Sequence, residues 1–350
     1  MRTVDVVVVG AGVIGCATSR CLARAGREVV LLEQFEVGHG RGSSHGASRI
    51  FRLSYSQAVY VRMAMEALPL WRELEEESGE PILITLGGLD LGSVVAKHAA
   101  ALQECGADFE IIDRDEASAR FPLVRLPKGE AVLFQPDAGI VAADRAVRGF
   151  ARSAVAHGAK VREGARVLGL HTVGDSAEVR TAEEIYRCRA VVVTAGAWAR
   201  NLLAGVGYDL PTWPSRETVA YFRIGDELQL PTLVEWGEPS LYALPSPGQG
   251  IKGGEHRAGV SVDPNSEGSP DEKSIARLCR WVGDRFPDVQ PVPHQAETCL
   301  YTNTSDERFI LERWGPVVVG SACSGHGFKF APLIGRKLAD LATSHGSIVK

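Results

Sequence analysis

Three glycines near the start of the chain, Gly10, Gly12 and Gly15, have the G-x-G-x-x-G spacing of a loop that binds a dinucleotide. In such a loop the first glycine makes the tight turn, the second lets the backbone approach a pyrophosphate, and the third allows close packing of helix and strand. Glu33 follows about twenty residues later and can accept hydrogen bonds from ribose hydroxyls, which argues against NADP. The motif does not separate NAD from FAD, and a tight turn without a ligand is the alternative.

A second glycine-rich stretch, "GSACSGHGFKF" at residues 320–330, lies near the end of the chain and carries Lys329. A strand pattern precedes it and a helix pattern follows, so we expect the helix N-terminus and Lys329 to face one ligand. Their positive charge suits a group that gains negative charge, such as the N1–C2=O edge of a reduced flavin. The alternative is a glycine-rich turn that carries a solvated lysine.

Cys299 lies beside an aromatic residue and a polar turn in "ETCLYTNTSDERFIL", and a buried packing cysteine is its simplest interpretation. The seven cysteines are scattered, odd in number and never spaced CxxC, which predicts neither a disulfide framework nor a zinc site. Reduced thiols in the cytoplasm fit this pattern best. The net charge of −5 gives no basic surface and disfavours a nucleic-acid partner.

The elements that must position these residues are those of an α/β (α+β two-domain) protein. Buried-strand patterns followed by a glycine turn and a helix occur at residues 4–26, 187–203 and 316–346, with β-rich segments between them. This order predicts a Rossmann-type nucleotide-binding domain interleaved with a β-rich substrate domain. The first domain is expected at residues 1–80, 145–210 and 300–350, and the second at 81–144 and 211–299.

Some local expectations follow from the same patterns. "RGSSHGASRIFRLSY" predicts a loop and then a basic helical start, whereas residues 81–134 and 211–290 predict short strands and turns. Neither a signal peptide nor an apolar run long enough to span a membrane is expected.

The chain resembles the amine-oxidising FAD enzymes of the D-amino-acid-oxidase type, and above all the monomeric sarcosine oxidase and N-methyltryptophan oxidase family. The resemblance covers essentially the whole chain and implies FAD as the cofactor. It rests on six motifs in the same order: "VVVVGAGVIG…LLE", "GSSHGASRIFR", "VVVTAGAW", "IKGGEH", "TCLYTNTSDERFIL" and "SGHGFKF".

The resemblance implies roles for individual residues. Cys299, in the pattern T-C-x-Y-T, is the residue to which FAD would be attached covalently, with Cys323 as a rival. Lys252 would lie beside the flavin and activate oxygen, and His256 would shape the substrate site rather than abstract a proton. For Lys252 the alternative is an exposed turn lysine.

Arg52 and Lys329 would grip the substrate carboxylate, Tyr242 would line the substrate side, and Arg49 and His45 would lie close to the flavin ring. Arginine suits bidentate binding of a carboxylate, and Arg49 and Arg52 are three residues apart, so on a helix turn they would share one face. A solvated basic surface is their alternative.

The other residues expected against FAD belong to the glycine motifs and their neighbours, and no metal site is expected. They are Gly10, Gly12, Val13, Ile14, Gly15, Glu33, Gln34, Ser43, Ser44, Val167, Ala195, Gly196, Trp198, Gly325, Gly327 and Phe328, together with His45, Arg49, Cys299 and Lys329.

The predicted reaction oxidises the C–N bond of a secondary α-amino acid, N-methylated or cyclic, by hydride transfer to flavin N5. O2 is reduced to H2O2 and the imine is hydrolysed. A same-fold dehydrogenase that passes electrons to a quinone or carrier protein, or a non-catalytic flavin-binding subunit, are the alternatives. The expected partners are the small-molecule substrate and O2, without nucleic acid or membrane, and the protein is expected to be a cytoplasmic monomer.

Two departures from the family pattern leave the substrate open. Ser44 stands before His45 where the family has a further histidine, and the acidic Glu255 is expected beside the site, where it would alter the preference for substrate charge. Sarcosine, N-methyl aromatic amino acids, pipecolate and proline-like amino acids all fit.

Overall fold

The computed structural model describes residues 1–127, 129, 131–225 and 230–344. The end of the predicted segment 300–350, at residues 345–350, lies outside the described residues. The helices are α1 (Val13–Arg24), α2 (Ala58–Ser78), α3 (Val95–Cys105), α4 (Arg114–Arg120), α5 (Ala143–Ala156), α6 (Ala199–Ala204), α7 (Glu272–Arg285) and α8 (Ala331–Thr343).

The strands follow the same chain order. They are β1 (Arg2–Val9), β2 (Val29–Leu32), β3 (Ser48–Phe51), β4 (Leu83–Thr85), β5 (Gly88–Gly92), β6 (Glu110–Ile112), β7 (Val132–Gln135), β8 (Gly139–Ala142), β9 (Lys160–Arg162), β10 (Gly169–Val173), β11 (Ser176–Arg180), β12 (Ile185–Val193), β13 (Trp213–Phe222), β14 (Thr232–Trp236), β15 (Leu241–Ser246), β16 (Gly250–Glu255), β17 (Val260–Ser261), β18 (Gln295–Asn303), β19 (Ile310–Trp314) and β20 (Val317–Ser321).

The first sheet has eight strands in the order β10-β11-β12-β1-β2-β9, with β20 beside β12 and β19 beside β20. The pairs that β1 forms with β2 and β12, and that β12 forms with β20, are parallel. Val6 and Val8 face one core with α1 and α8, and Val7 and Val9 face another. Because both faces are covered, these strands read as continuous apolar runs, and the predicted α/β class is confirmed.

The second sheet has nine strands in the order β17-β13-β16-β15-β14-β5-β7-β6, with β18 beside β13. Its pairs are antiparallel apart from β14 with β5. Helix α7 packs on β13 and β16 through a core that contains Leu278, Val282 and Phe222. Strand β18 continues on both sides of the predicted boundary at residue 299, and the division into two domains stays a prediction.

The predicted helix after the serine loop is wrong, because this segment is strand β3. It pairs with β8 in a small sheet of order β3-β8-β4, with Arg49 opposite Val141. The partner strand lies about ninety residues away in the chain, so the local basic pattern did not reveal the pairing. The shared helical face of Arg49 and Arg52 therefore does not exist.

The prediction of short strands and turns for residues 81–134 and 211–290 is also incomplete, since helices α3, α4 and α7 lie there. Two of these helices begin at an aspartate whose side chain caps the helix N-terminus, a feature that the spacing of apolar residues does not show. Asp113 accepts a hydrogen bond from the Glu116 amide, and Asp271 accepts one from the Ser274 amide. None of the helices in the described part of the chain is both long enough and apolar enough to cross a bilayer.

Candidate active site

One cavity of about 910 Å³ runs from the first glycine motif to the terminal glycine loop, between the two large sheets. Most predicted site residues line it, whereas Gly15 and His45 do not. Those that line it are Gly10, Gly12, Val13, Ile14, Glu33, Gln34, Ser43, Ser44, Arg49, Arg52, Val167, Ala195, Gly196, Trp198, Tyr242, Lys252, His256, Cys299, Gly325, Gly327, Phe328 and Lys329.

The glycine motif forms the cradle that its spacing predicts. Gly10 has φ +98°, and a Cβ on it would lie 2.8 Å from the Thr194 carbonyl oxygen. A Cβ on Gly15 would lie 1.8 Å from the Gly10 carbonyl oxygen, so α1 packs on the turn only because Gly15 lacks a side chain. The N-terminus of α1 thereby opens onto the cavity, where it suits the phosphates of a dinucleotide.

Glu33 is buried at the end of β2 and is held by backbone amides. Its Oε2 accepts a hydrogen bond from the Ala11 amide at 2.7 Å, and its Oε1 accepts one from the Phe35 amide at 2.9 Å. Each carboxylate oxygen keeps a further lone pair for a ribose hydroxyl. The buried carboxylate and the glycine cradle therefore fit the adenosine diphosphate half of FAD.

Arg49 shapes the loop between β2 and β3. Its Nη2 donates to the carbonyl oxygens of Ser43 at 2.9 Å and His45 at 2.6 Å, and its Nη1 donates to that of Ser48 at 2.9 Å. Burial, and then the charge of Arg49, lower the pKa of His45 to about 4, so its imidazole is neutral at pH 7. His45 belongs to the loop that forms this part of the cavity wall but does not itself line the cavity.

Lys252 points from β16 into the cavity, and its Nζ makes no hydrogen bond to a described residue. Burial, and next the charge of Arg49, lower the pKa of Lys252 to about 7, while Cys299 and Glu297 oppose this shift. A Cβ on Gly46 would lie 3.7 Å from Lys252 Nζ, 3.7 Å from a Glu297 carboxylate oxygen and 3.5 Å from Arg49 Nη1. Gly46 has φ +96°, a backbone conformation that favours glycine, at the point where these charged groups converge.

Both candidate attachment cysteines line the cavity, and they differ in their partners. Cys323 Sγ accepts a hydrogen bond from the Thr302 amide at 3.3 Å and lies 3.8 Å from Ser43 Oγ. Cys299 lies in β18 opposite Glu217. Burial raises the pKa of the Cys299 thiol, and the charges of Arg49 and Lys252 counteract this rise.

At the other end of the cavity lie Arg52 and Lys329, which are both buried. Lys329 Nζ donates to the Tyr55 hydroxyl and to the His326 carbonyl oxygen, each at 2.9 Å. Burial, and then the charge of Arg52, lower the pKa of Lys329 well below its ordinary value. The Arg52 guanidinium carbon lies 4.2 Å from the centre of the Tyr55 ring. The two cations and this tyrosine form one wall.

His256 and Tyr242 line the cavity as expected, but Glu255 does not. Successive side chains of a strand point to opposite faces, so Lys252 and Glu255, three residues apart in β16, diverge. Glu255 is buried beneath α7, where it accepts hydrogen bonds from Ser274 Oγ and from the Arg277 guanidinium. The expectation that Glu255 lies beside the site is therefore wrong.

The predicted site residues leave out four aromatic residues of the cavity wall: Tyr55, Tyr60, Trp236 and Tyr301. Two of them carried a signal, since Tyr55 closes "GASRIFRLSY" and Tyr301 belongs to T-C-x-Y-T. A Cβ on Gly325 would lie 2.2 Å from the Tyr301 ring, so the terminal loop passes directly over this tyrosine. Trp236 has no motif in its neighbourhood and is placed by the pairing of β14 with β5.

Comparisons with known proteins agree with this geometry. The chain matches the FAD dependent oxidoreductase (DAO) family over residues 5–341. Peroxisomal sarcosine oxidase of Homo sapiens is 34% identical over 359 residues, which cover 97% of this chain and 92% of that protein. Monomeric sarcosine oxidase of Bacillus sp. (strain B-0618) is 32% identical over 357 residues, with the same shares covered.

A solved structure supports the same assignment. The open form of NikD, an unusual amino acid oxidase essential for nikkomycin biosynthesis, superposes with a TM-score of 0.89 at 28% identity, over 100% of this chain and 96% of that one. The predicted resemblance and the predicted fold class are thus confirmed. The chain belongs to the family of FAD-dependent oxidoreductases and, within it, to the enzymes that act on CH–NH donors.

Proposed function

We propose that this enzyme oxidises the C–N bond of a secondary α-amino acid, N-methylated or cyclic, and passes the electrons to O2. One observation carries the proposal: Arg49, Arg52, Lys252 and Lys329 all line the cavity, and among the described residues no carboxylate forms an ion pair with any of them. A cation removed from water is costly unless an anion neutralises it. The cavity is therefore suited to anionic ligands.

Arg52 and Lys329 would hold the substrate carboxylate. Arginine can bind both carboxylate oxygens, and the ammonium of Lys329 adds a point charge beside it. The positive potential of the pair also favours the deprotonated form of the substrate amine, whose lone pair must be free before the neighbouring carbon can lose hydride. The rings of Tyr55, Trp236 and Tyr301 would enclose the apolar part of a small amino acid.

Different residues along the cavity would hold different parts of FAD. Gly10, Gly12 and the N-terminus of α1 would hold the pyrophosphate of FAD, and Glu33 its ribose. FAD supplies the hydride acceptor of the reaction. The loop that carries Phe328 would support the flavin ring, and Lys252 would stabilise negative charge that develops on reduced oxygen.

We propose Cys299 as the site of covalent attachment. The Cys323 thiol is engaged by the Thr302 amide, whereas the Cys299 thiol makes no hydrogen bond to a described residue. The charges of Arg49 and Lys252 offset part of the rise in the Cys299 pKa that burial causes. Acid precipitation of the purified protein tests this assignment. Yellow colour should stay in the pellet for the wild type and Cys323→Ala and pass to the supernatant for Cys299→Ala; colour lost from the pellet of Cys323→Ala instead would reverse the assignment.

A substrate panel tests the reaction. We expect sarcosine, N-methyltryptophan, pipecolate or proline to bleach the flavin anaerobically and to yield one H2O2 per imine in air, while matched amines without a carboxylate react far more slowly. Bleaching without peroxide would exclude O2 as the acceptor, and no bleaching by any of them would exclude this substrate class. The monomeric state and the cytoplasmic location stay predictions.

A further inference from the structure

We propose that Asp90, acting through the indole of Trp236, is a positioning residue that holds the Arg52 guanidinium where it meets the substrate carboxylate. The inference rests on the proposed function only in assuming that the ligand of Arg52 is a carboxylate. It concerns two residues that no motif marks, on strands that lie far apart in the chain.

The guanidinium of Arg52 lies between two aromatic rings. Its carbon is 4.2 Å from the centre of the Tyr55 ring and 4.9 Å from that of Trp236. Within the part of the chain that the structure describes, Ser54 is the residue with which this guanidinium forms hydrogen bonds. Since arginine has five N–H donors, several remain for a ligand, and the rings rather than an ion pair fix the plane of the group.

Asp90 in turn fixes the Trp236 ring. The indole Nε1 donates a hydrogen bond to Asp90 Oδ1 at 2.8 Å. Asp90 is buried on β5, the parallel neighbour of β14, where it lies opposite Val234. Burial works to raise the pKa of Asp90, but His98 and the charge of Arg52 outweigh it and keep this pKa below its ordinary value. Asp90 is thus a charged acceptor behind the ring and outside the main cavity.

His98 completes the support on the far side. Its Nδ1 lies 3.7 Å from Asp90 Oδ2, and its ring meets the Trp236 indole edge to face at 5.4 Å. The indole is therefore held at its N–H by Asp90, contacts the His98 ring edge to face, and packs against the Arg52 guanidinium. A ring fixed at two places cannot tilt away from the guanidinium without breaking a buried hydrogen bond.

The test distinguishes the anchoring of the Trp236 indole from the negative charge of Asp90 and from the stability of the fold. Asp90→Asn keeps an oxygen that can accept from the indole but removes the negative charge, whereas Asp90→Leu removes the acceptor as well. Trp236→Phe removes the donor. The matched control is Trp281→Phe, because Trp281 Nε1 on α7 donates to a carboxylate oxygen of Glu235 on β14 at 2.5 Å, away from the cavity.

Binding of benzoate and of its neutral analogue benzamide to each holoenzyme is measured from the change in flavin absorption, and thermal unfolding confirms that each variant is folded. We expect Asp90→Leu and Trp236→Phe to weaken benzoate binding about fivefold to tenfold and benzamide binding by less than about twofold, as befits the loss of one cation–ring contact. Asp90→Asn and Trp281→Phe should bind both ligands within about twofold of the wild type.

Each other outcome overturns the proposal in a defined way. If Asp90→Asn loses as much benzoate affinity as Asp90→Leu, charge and not anchoring is responsible. If the variants lose benzoate and benzamide alike, the role is merely structural, and if the wild type does not prefer benzoate, Arg52 is no carboxylate site. The proposed reaction is judged separately, since it fails when no secondary amino acid bleaches the flavin, whatever benzoate does.

Discussion

Replacing Lys252 by methionine should stabilise the protein in a way that depends on pH. Lys252 has an ordinary pKa of 10.5 that burial and Arg49 lower to about 7 in the folded state. The gap of about 3.5 pH units corresponds to about 5 kcal/mol, at about 1.4 kcal/mol per unit, by which the folded protein disfavours the charged lysine. Methionine has similar length and carries no charge, so it avoids this cost.

The direction in which the stability of the protein changes with pH follows from proton linkage. Between about pH 7 and pH 10.5 the unfolded chain holds one proton more than the folded chain at this lysine, so the stability of the wild type rises with pH by about 1.4 kcal/mol per unit. Below about pH 7 both states are protonated and the full cost applies. The advantage of Lys252→Met should therefore be largest at pH 6–7 and about 3 kcal/mol smaller at pH 9.

Urea unfolding of the holoenzymes at pH 6, 7, 8 and 9 measures this difference. The control is Lys97→Met on α3, an exposed lysine, whose effect should not change with pH. A Lys252→Met effect that stays constant from pH 6 to pH 9 would refute the reasoning, because it would mean that Lys252 keeps its ordinary pKa in the folded protein.

Three further substitutions test other parts of the site. Gly15→Ala should abolish flavin binding, measured by the ratio of flavin to protein absorbance, because the new Cβ meets a backbone oxygen, while Gly40→Ala, with open space around it, should retain FAD. Glu255→Gln should lower the free energy of unfolding by about 2 kcal/mol through its weakened pairing with Arg277, with no change in preference between neutral and charged substrates. Lys329→Met should lower kcat/KM for carboxylate substrates about a hundredfold or more and spare amines without a carboxylate; equal losses for both would contradict the clamp.

The fold could be predicted where local sequence carries the structure. The run of β-branched residues at β1, the glycines after it and the apolar face of α1 are consecutive in the chain, so their pattern predicts strand, turn and helix together. Strand β3 was not predictable in this way, because its hydrogen bonds go to β8. Helix α7 carries a capping Asp271 and apolar residues at helical spacing, Leu278, Trp281 and Val282, but it lies between proline- and glycine-rich segments that favour turns.

The site was predictable to the extent that motifs carry it. Lys252, Cys299 and Lys329 come from distant segments, yet each has a distinctive neighbourhood, and the structure brings all three to one cavity. Asp90 and Trp236 have no such neighbourhood, since their contact exists only because β5 and β14 pair in parallel across the middle of the chain. Successive side chains of a strand point to opposite faces, and this alternation explains why Glu255 points away from Lys252.

The charges around the cavity favour the anionic ligands of the proposed function. Two acidic groups of the second sheet that lie away from the cavity are paired with arginines: Glu255 with Arg277, and Glu235 with Arg285 at 2.7 Å. In the cavity, by contrast, the cations have no acidic partner among the described residues. A buried ion without a partner costs several kcal/mol, and the chain could have removed that cost with one more carboxylate, as it does elsewhere in the sheet. Burial therefore lowers the pKa of Lys252 and Lys329, and the lack of ion pairs favours a site whose negative charges arrive with the substrate and with the reduced cofactor.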